Sequence, residues 1–260
     1  DLYDRPYQTD YRNSVWNCGI LPVYRQQLYS VYGEYKSTAR EFFATVNLTH
    51  NREWYNRIYE QRIENGQVQR VSLPLSNHGS GYTVKSTLSK GFYDLGLKTS
   101  LMALLNISKA EQISGGQRLP YQYRLMRLEP KVIWTPNRHW ETSYQTDIRY
   151  GGNKIGERTR LAPLWNVTQQ VQLSYIFSPI EASLSVDHYH NDVNEDQSVN
   201  AVFADFSVLW KSRRLQITAT ATNLFDKRTY GYTRYASLES YTSWVRIRPR
   251  EFLVAIRYQL

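Results

Sequence analysis

The sequence predicts an all-β protein, an antiparallel up-and-down transmembrane β-barrel of about 11–12 strands. Two observations lead to this fold class. Apolar and polar residues alternate along most of the chain, as where Leu215, Ile217, Ala219 and Ala221 are separated by a glutamine and two threonines. Successive side chains of a strand point to opposite faces, so such a segment has one apolar face and one more polar face. Short turns also alternate with long loops, a pattern typical of outer-membrane barrels.

The alternation starts after residues 1–23, where prolines and a glycine interrupt the chain and predict an irregular segment. Each later strand is predicted from its own row of apolar residues, such as Val171, Leu173 and Tyr175. The predicted strands are Tyr24–Lys36, Glu41–Tyr59, Tyr82–Lys90, Leu95–Ile107, Gln122–Trp134, Trp140–Tyr150, Trp165–Phe177, Ile180–His190, Ser198–Trp210, a strand from Leu215 to Ala221, and a last strand from Phe252 to Leu260.

The connections between these strands fall into two kinds, which predicts two different ends of the barrel. The short ones, polar or containing proline, are Ser37–Arg40, Gly91–Asp94, Thr135–His139, Ser178–Pro179 and Lys211–Arg214. The long polar ones are Gln61–Ser80, Ser108–Tyr121, Gly151–Leu164, Asn191–Gln197 and the segment after Ala221. In outer-membrane barrels the short turns are periplasmic and the long loops extracellular.

Composition narrows the class of protein. The chain has 22 Tyr and seven Trp, which suit aromatic girdles at the two edges of a membrane. No segment approaches the roughly 20 consecutive apolar residues of a membrane helix, so a helical membrane protein is excluded. The net charge of +9 is dispersed without a basic run, which argues against nucleic acid as a partner. An outer-membrane location would require that a leader upstream of Asp1 has been removed.

Three short segments carry a family resemblance. Thr222-Asn223-Leu224-Phe225-Asp226-Lys227 followed by Tyr230 resembles the element that ends the penultimate strand of TonB-dependent outer-membrane receptors. The segment from Arg248 to Leu260 is similar to their last strand and its C-terminal insertion signal. The segment from Asn17 to Pro22, which includes Cys18, resembles a degenerate form of the element that precedes a barrel strand in the Bacteroidetes branch.

The resemblance implies a larger assembly than these 260 residues. Such receptors are barrels of about 22 strands with a plugged lumen, so residues 1–260 are expected to be the C-terminal part of the barrel, without the plug domain. The expected location is a bacterial outer membrane and the expected function is nutrient uptake. The expected partners are membrane lipid, the remaining strands and plug on another chain or a removed segment, a TonB-type energy-coupling protein acting through that segment, and a surface lipoprotein.

Two groups of residues are candidates for binding. Aromatic residues of the last long loop offer rigid area for stacking on a sugar or a planar siderophore, or they pack among the loops: Tyr230, Tyr232, Tyr235, Tyr241 and Trp244. Charged residues of two central strands are expected to line the lumen and to form ion pairs with the plug, or to stay solvated: Arg127, Glu129, Lys131, Asp147 and Arg149.

Nothing in the sequence predicts an enzyme, a cofactor or a metal site. No Ser-His-Asp arrangement, phosphate loop or cysteine cluster can be assembled. His188 and His190 share one face of a strand, but two ligands do not make a metal site. Two other functions stay open: a stand-alone passive pore or structural subunit of an outer-membrane complex, and a soluble β-sandwich module that binds carbohydrate.

Overall fold

The structure is a computed structural model that describes residues 5–9, 11, 13–17, 19–64, 67–156, 159–160, 163–194, 196–235 and 240–259. Nearly all of this chain is β-strand, as the period-two alternation predicts. The described residues contain two short 3₁₀ turns and no α-helix. The described part of the chain therefore contains no helix that is long and apolar enough to cross a membrane.

Eighteen strands are present among these residues. They are β1 (Pro6–Gln8), β2 (Asn13–Trp16), β3 (Tyr24–Ser37), β4 (Phe42–Tyr55), β5 (Ile58–Glu64), β6 (Gln67–Leu73), β7 (Asn77–Phe92), β8 (Leu97–Ser114), β9 (Gln117–Asn137), β10 (Trp140–Ile155), β11 (Thr159–Arg160), β12 (Leu164–Phe177), β13 (Ile180–Asp192), β14 (Ser198–Lys211), β15 (Leu215–Thr222), β16 (Thr229–Tyr235), β17 (Ser240–Arg246) and β18 (Glu251–Tyr258).

The long strands form one antiparallel meander in the order β3-β4-β7-β8-β9-β10-β12-β13-β14-β15-β18. It belongs to a 16-stranded sheet, and β16 and β17 form a second sheet of two strands. The five connections predicted to be short all lie at one end of the meander, here called the turn end. The opposite end, the loop end, carries the other connections.

The prediction of every strand in the meander is confirmed, but the predictions of several long loops are wrong. Strands β8 and β9 continue through the predicted loop Ser108–Tyr121 and meet at a two-residue turn, Gly115-Gly116, in which both φ angles are positive. Two glycines accept this conformation without strain, so the strands pair to their tips. Likewise β10 extends to Ile155, and the polar segment Gln61–Ser80 contains most of the hairpin β5–β6.

A small buried core lies at the loop end, around β5, β6 and β8. Ile58 is fully buried, and Val71 and Ile113 are 7% and 6% exposed. Strand β5 pairs in parallel with the tip of β8, and β6 pairs in parallel with β2, so the segment predicted to be irregular contributes β1 and β2. Cys18 and the dipeptide Asn65-Gly66 lie outside the described residues.

The meander has two chemically different faces, and most of its large apolar side chains are not covered by the chain. Directly opposed residues in a sheet project from the same face. On one face, the apolar face, the register matches Leu48 with Val84, Val84 with Leu105, and Leu105 with Met126. This face continues to the last strand, where Val254 and Ile256 are 64% and 69% exposed.

Two rows of aromatic residues border the apolar face. Near the loop end, Tyr82 stacks on His50 at 4.3 Å and Tyr150 meets Trp165 edge to face at 4.8 Å. Near the turn end the row is longer and projects from the same face: Tyr35, Phe42, Phe92, Trp134, Trp140, Tyr175, Phe177, Trp210 and Tyr258. Aliphatic side chains fill most of the space between the two rows.

The opposite face, here the polar face, carries small polar and charged residues in mid-strand. Examples in direct register are Asp147 with Thr168 and Gln170 with Asp187. The sheet is open: among the described residues, β3 pairs only with β4 and β18 only with β15. Closure of the sheet into a barrel therefore stays a prediction. Leu260, the last residue of the predicted final strand, lies outside the described part of the chain.

Candidate functional site

The segment predicted to be an aromatic loop is instead the hairpin β16–β17, which lies against the polar face. Asn191 of β13, 3% exposed, donates from Nδ2 to the Tyr230 hydroxyl at 2.9 Å and to the Gly231 carbonyl at 3.4 Å. The Tyr230 ring also meets Tyr189 edge to face at 5.2 Å. A buried amide and two aromatic rings thus attach the hairpin to the long sheet.

A turn centred on Asn223 determines where the hairpin leaves the sheet. Asn223 is 6% exposed and has a φ of +50°, a conformation that asparagine accepts more readily than most residues. Its Nδ2 donates to the carbonyls of Lys227 and Arg248 at 2.9 and 2.8 Å, and its Oδ1 accepts from the Lys227 amide at 3.0 Å. Its own amide donates to Asp205 at 2.7 Å. One side chain therefore joins β15 to the start of β18.

Asp226 completes this turn from the surface. Its Oδ2 accepts from the Arg228 guanidinium at 2.9 Å and its Oδ1 accepts from the Arg250 amide at 3.0 Å. The hydrogen bond from Arg228, followed by that from the Arg250 amide, lowers the pKa of the Asp226 carboxyl below its ordinary value. The residues that carry the family resemblance thus serve, in this structure, to position the hairpin.

Four of the predicted charged residues form one network on the polar face. Arg127 of β9 makes two hydrogen bonds to Asp147 of β10, at 3.0 and 2.9 Å, and also pairs with Glu129. Arg149 pairs with the same aspartate at 2.6 Å. Lys131 occupies the same face opposite Gln145, without a salt bridge among the described residues. Strand register brings the network together, since Arg127 and Arg149 are direct partners.

The hairpin and this network line a half-open cavity of about 600 Å³, here called the tyrosine cavity. Both predicted groups contribute to it, since Tyr230 and Tyr232 lie on one side and Arg127, Asp147 and Arg149 on the other. Trp244 does not contribute; it is 63% exposed and covers Gly231, where an added Cβ would lie 2.7 Å from its ring. The side chains of Tyr235 and Tyr241 lie outside the described set.

The tyrosine cavity offers a mixed lining that suits a polar ligand with flat or apolar portions. Its phenol, guanidinium, carboxylate and amide groups include both hydrogen-bond donors and acceptors. Leu104, Leu125 and Leu164 provide apolar area. Sequence reasoning missed Tyr123, Asn166 and the leucines. Alternation could have assigned them to the polar face, but only the fold shows which of them the hairpin covers.

A second cavity of about 540 Å³ lies beside the first and shares Tyr230 with it. Asp187, Asp205 and Glu251 line it together with Phe203 and Arg248. It contains no histidine or cysteine, and its three carboxylates do not form a group that could hold a metal ion; no such group occurs among the described residues. His190 hydrogen-bonds Asn200 at 2.9 Å and lies 3.3 Å from Asp192, on the opposite face from this cavity.

These features define a class: a two-faced antiparallel sheet with an exposed apolar face and a polar face that carries a hairpin and a ligand-sized cavity. Comparisons of the chain with protein-family models, with curated proteins and with solved structures find no match.

Proposed function

We propose that the chain forms part of the wall of an outer-membrane β-barrel, in a TonB-dependent type of nutrient receptor of a Gram-negative bacterium. The observation that carries the proposal is the exposed apolar face between two aromatic rows. Large exposed apolar surfaces on a folded protein mark contact with another apolar phase. A membrane barrel has such a face outside, with aromatic girdles at both interfaces and a polar interior.

The height of the apolar face supports a bilayer as that phase. Trp140 and Tyr150 belong to the two aromatic rows of one strand and are ten positions apart. At about 3.3 Å per residue this is about 33 Å along the strand, and a strand tilt of about 45° reduces it to about 23 Å. An outer-membrane barrel needs an apolar band of about 25 Å.

A soluble sandwich fits these features less well. A sandwich buries the apolar side of each sheet against a second sheet. In the described part of this chain, the second sheet is the hairpin β16–β17, and it lies on the polar face through Asn191 and Tyr189. A receptor barrel places such a polar face toward its lumen and plug, where the tyrosine cavity would bind the transported ligand.

Assignment to a receptor rather than a passive pore rests on the resemblance around Asn223 and on the open edges of the sheet. Unpaired strand edges are not tolerated in lipid, because each backbone group left without a partner is costly. The free edges of β3 and β18 are therefore proposed to pair with further strands of the same receptor. A TonB-type protein would act through the plug of that receptor, and nutrient uptake would then depend on energy coupling, unlike conduction through a pore.

Arginine substitution at different depths tests the membrane proposal. We expect Leu101→Arg, in the middle of the apolar face, to cost about 2–4 kcal/mol, whereas Ile107→Arg beside the aromatic row costs at most about 1 kcal/mol. Ser100→Arg, on the polar face of the same strand, is the matched control. The measurements are recovery of the protein in the membrane fraction and its unfolding by urea in vesicles. Equal effects of Leu101→Arg and Ile107→Arg, or a wild-type protein outside the membrane, would refute the proposal.

A further inference from the structure

A row of three basic and two uncharged polar residues crosses the sheet just beyond the loop-end aromatic row. Arg52, Ser80, Lys109, Gln122 and Lys154 are successive register partners on β4, β7, β8, β9 and β10. Because directly opposed residues share a face, the five side chains form one line, here called the cation row. They project from the apolar face.

The position of the cation row relative to the apolar face is defined by register. The neighbouring line toward the turn end contains His50, Tyr82 and Ile107, which belong to the loop-end border of the apolar face. On β4, β7 and β8 the cation row lies two residues beyond this border, which is about 7 Å along a strand. On β9 and β10 the neighbouring line contains Arg124 and Gly152 instead. Polar and charged side chains thus replace the apolar surface within two to four residues of each strand.

The cation row lines an open cleft of about 510 Å³, to which all five of its residues contribute. Among the described residues, Arg52, Lys109 and Lys154 form no salt bridge. The two acidic residues of the cleft are engaged elsewhere. Glu111 pairs with Arg118 at 2.8 Å, and Glu53 accepts hydrogen bonds from the Asn51 amide and the Tyr55 hydroxyl at 2.9 and 2.8 Å. Arg52 donates one hydrogen bond from Nε to the neutral acceptor Nε2 of His50 at 3.2 Å. No carboxylate therefore neutralises the three cations, and their charges can bind an anion.

We propose that the cation row binds phosphate groups of lipid headgroups in the leaflet at the loop end. The proposal rests on the proposed function, since a membrane around the apolar face brings headgroups to the level of the row. Lysine and arginine beside a membrane surface attract anionic lipid, and both bind phosphate through charge-assisted hydrogen bonds. Successive cations of the row, Arg52 to Lys109 and Lys109 to Lys154, are two strands apart, roughly 10 Å, so the row engages more than one phosphate.

Lipid titration of the full-length protein, purified from membranes in a neutral detergent, tests this site. The probes are short-chain phosphatidylglycerol, short-chain phosphatidylcholine and inorganic phosphate. We expect R52Q/K109Q/K154Q to weaken binding of phosphatidylglycerol about a hundredfold, because each cation near a surface contributes about a factor of five. Binding of phosphatidylcholine should change little, since its headgroup has no net charge.

A variant with the same loss of charge provides the control. K85Q/K98Q/R213Q removes two cations of the polar face and one in the turn between β14 and β15, and it should keep the wild-type affinity for phosphatidylglycerol. The single variant Lys109→Glu, which should weaken binding at least tenfold, replaces the triple variant if that one does not fold.

Three outcomes would overturn the lipid site: unchanged affinity in the row variant, equal losses in the row and control variants, or inorganic phosphate binding as tightly as phosphatidylglycerol. These results require a wild-type protein that is recovered in the membrane. A wild-type protein recovered outside the membrane would instead overturn the proposed function, so the two failures are distinguishable.

Discussion

At the scale of single residues, Asp226 shows how charge stabilises the turn that carries the hairpin. Its carboxylate accepts one hydrogen bond from the Arg228 side chain and one from the Arg250 backbone. Both bonds favour the ionised form and lower its pKa in the folded protein. A group with a lowered folded-state pKa adds stability above its unfolded pKa, and this stability is lost as the pH falls through the folded-state value.

We therefore expect Asp226→Asn to lower the unfolding temperature at pH 7, and the difference from wild type to shrink below about pH 4, the ordinary range of an aspartate. Asparagine keeps the size of the side chain and removes its charge. Asp94→Asn, in the 3₁₀ turn at the opposite end of the sheet, is the control because Asp94 makes neither contact. A difference at pH 3 as large as that at pH 7 would contradict the role assigned to the charge.

The sequence predicts the face on which a residue lies better than it predicts the partner of that residue. Period-two alternation assigns Arg127 and Asp147 to the polar side of two strands. Their bidentate pairing depends on the register between β9 and β10, which the turn at residues 138–139 and a register shift near Trp140 determine. A shift of one residue would reverse the faces of a strand. The charged group was therefore predictable as a set, but its network was not.

At the scale of elements, the two strands of the hairpin β16–β17 have different surroundings. Thr233 on β16 is 2% exposed, whereas Trp244 on β17 is largely exposed, although Thr233 hydrogen-bonds Thr242 of β17 at 2.9 Å. Asn191 fixes the buried strand through two hydrogen bonds to β16. Removing a buried donor leaves its acceptors unsatisfied, which costs about 1–3 kcal/mol.

We expect Asn191→Leu to loosen the hairpin and to open the tyrosine cavity, while the long sheet stays folded. The measurement is the deuterium exchange rate of residues 229–235, which should rise by a factor of about 5 to 150 for a cost of about 1–3 kcal/mol. Asn200→Leu, the same substitution on the neighbouring strand, is the control because Asn200 bonds His190 on the other face. Unchanged uptake in Asn191→Leu would show that other contacts hold the hairpin.

The lengths of the loop-end elements were the least predictable from sequence. Residues 108–121 are polar and contain two glycines, which indicates a loop when the segment is read alone. In the structure, these glycines form the tight turn and the polar residues pair across the hairpin, from Ser108 with Tyr123 to Ser114 with Gln117. The hairpin tip lacks the alternation of apolar and polar residues because it extends beyond the loop-end aromatic row and contributes nothing to the apolar face.

At the scale of the whole molecule, the open sheet is the feature with the largest energetic consequence. The outer backbone edges of β3 and β18 have no strand partner in the described part of the chain. Val31 and Val254, on these two strands, are 67% and 64% exposed. In a membrane, such edges must be paired. The strands are supplied either by the opposite edge of the same chain or by further strands of a larger barrel, and only the second agrees with the proposed receptor.

Photo-crosslinking from the two edge strands distinguishes these possibilities. A benzophenone amino acid placed singly at Val31, Tyr35 or Val254 should attach to strands other than β3 and β18. Moving the probe from Val31 to Tyr35 should shift the adduct by four residues in the opposite direction, because antiparallel partners run in opposite senses. Leu128, in the middle of the sheet, is the control and should label lipid or its own neighbours. Adducts that join β3 to β18 of the same chain would instead identify a self-closing barrel and contradict the larger receptor.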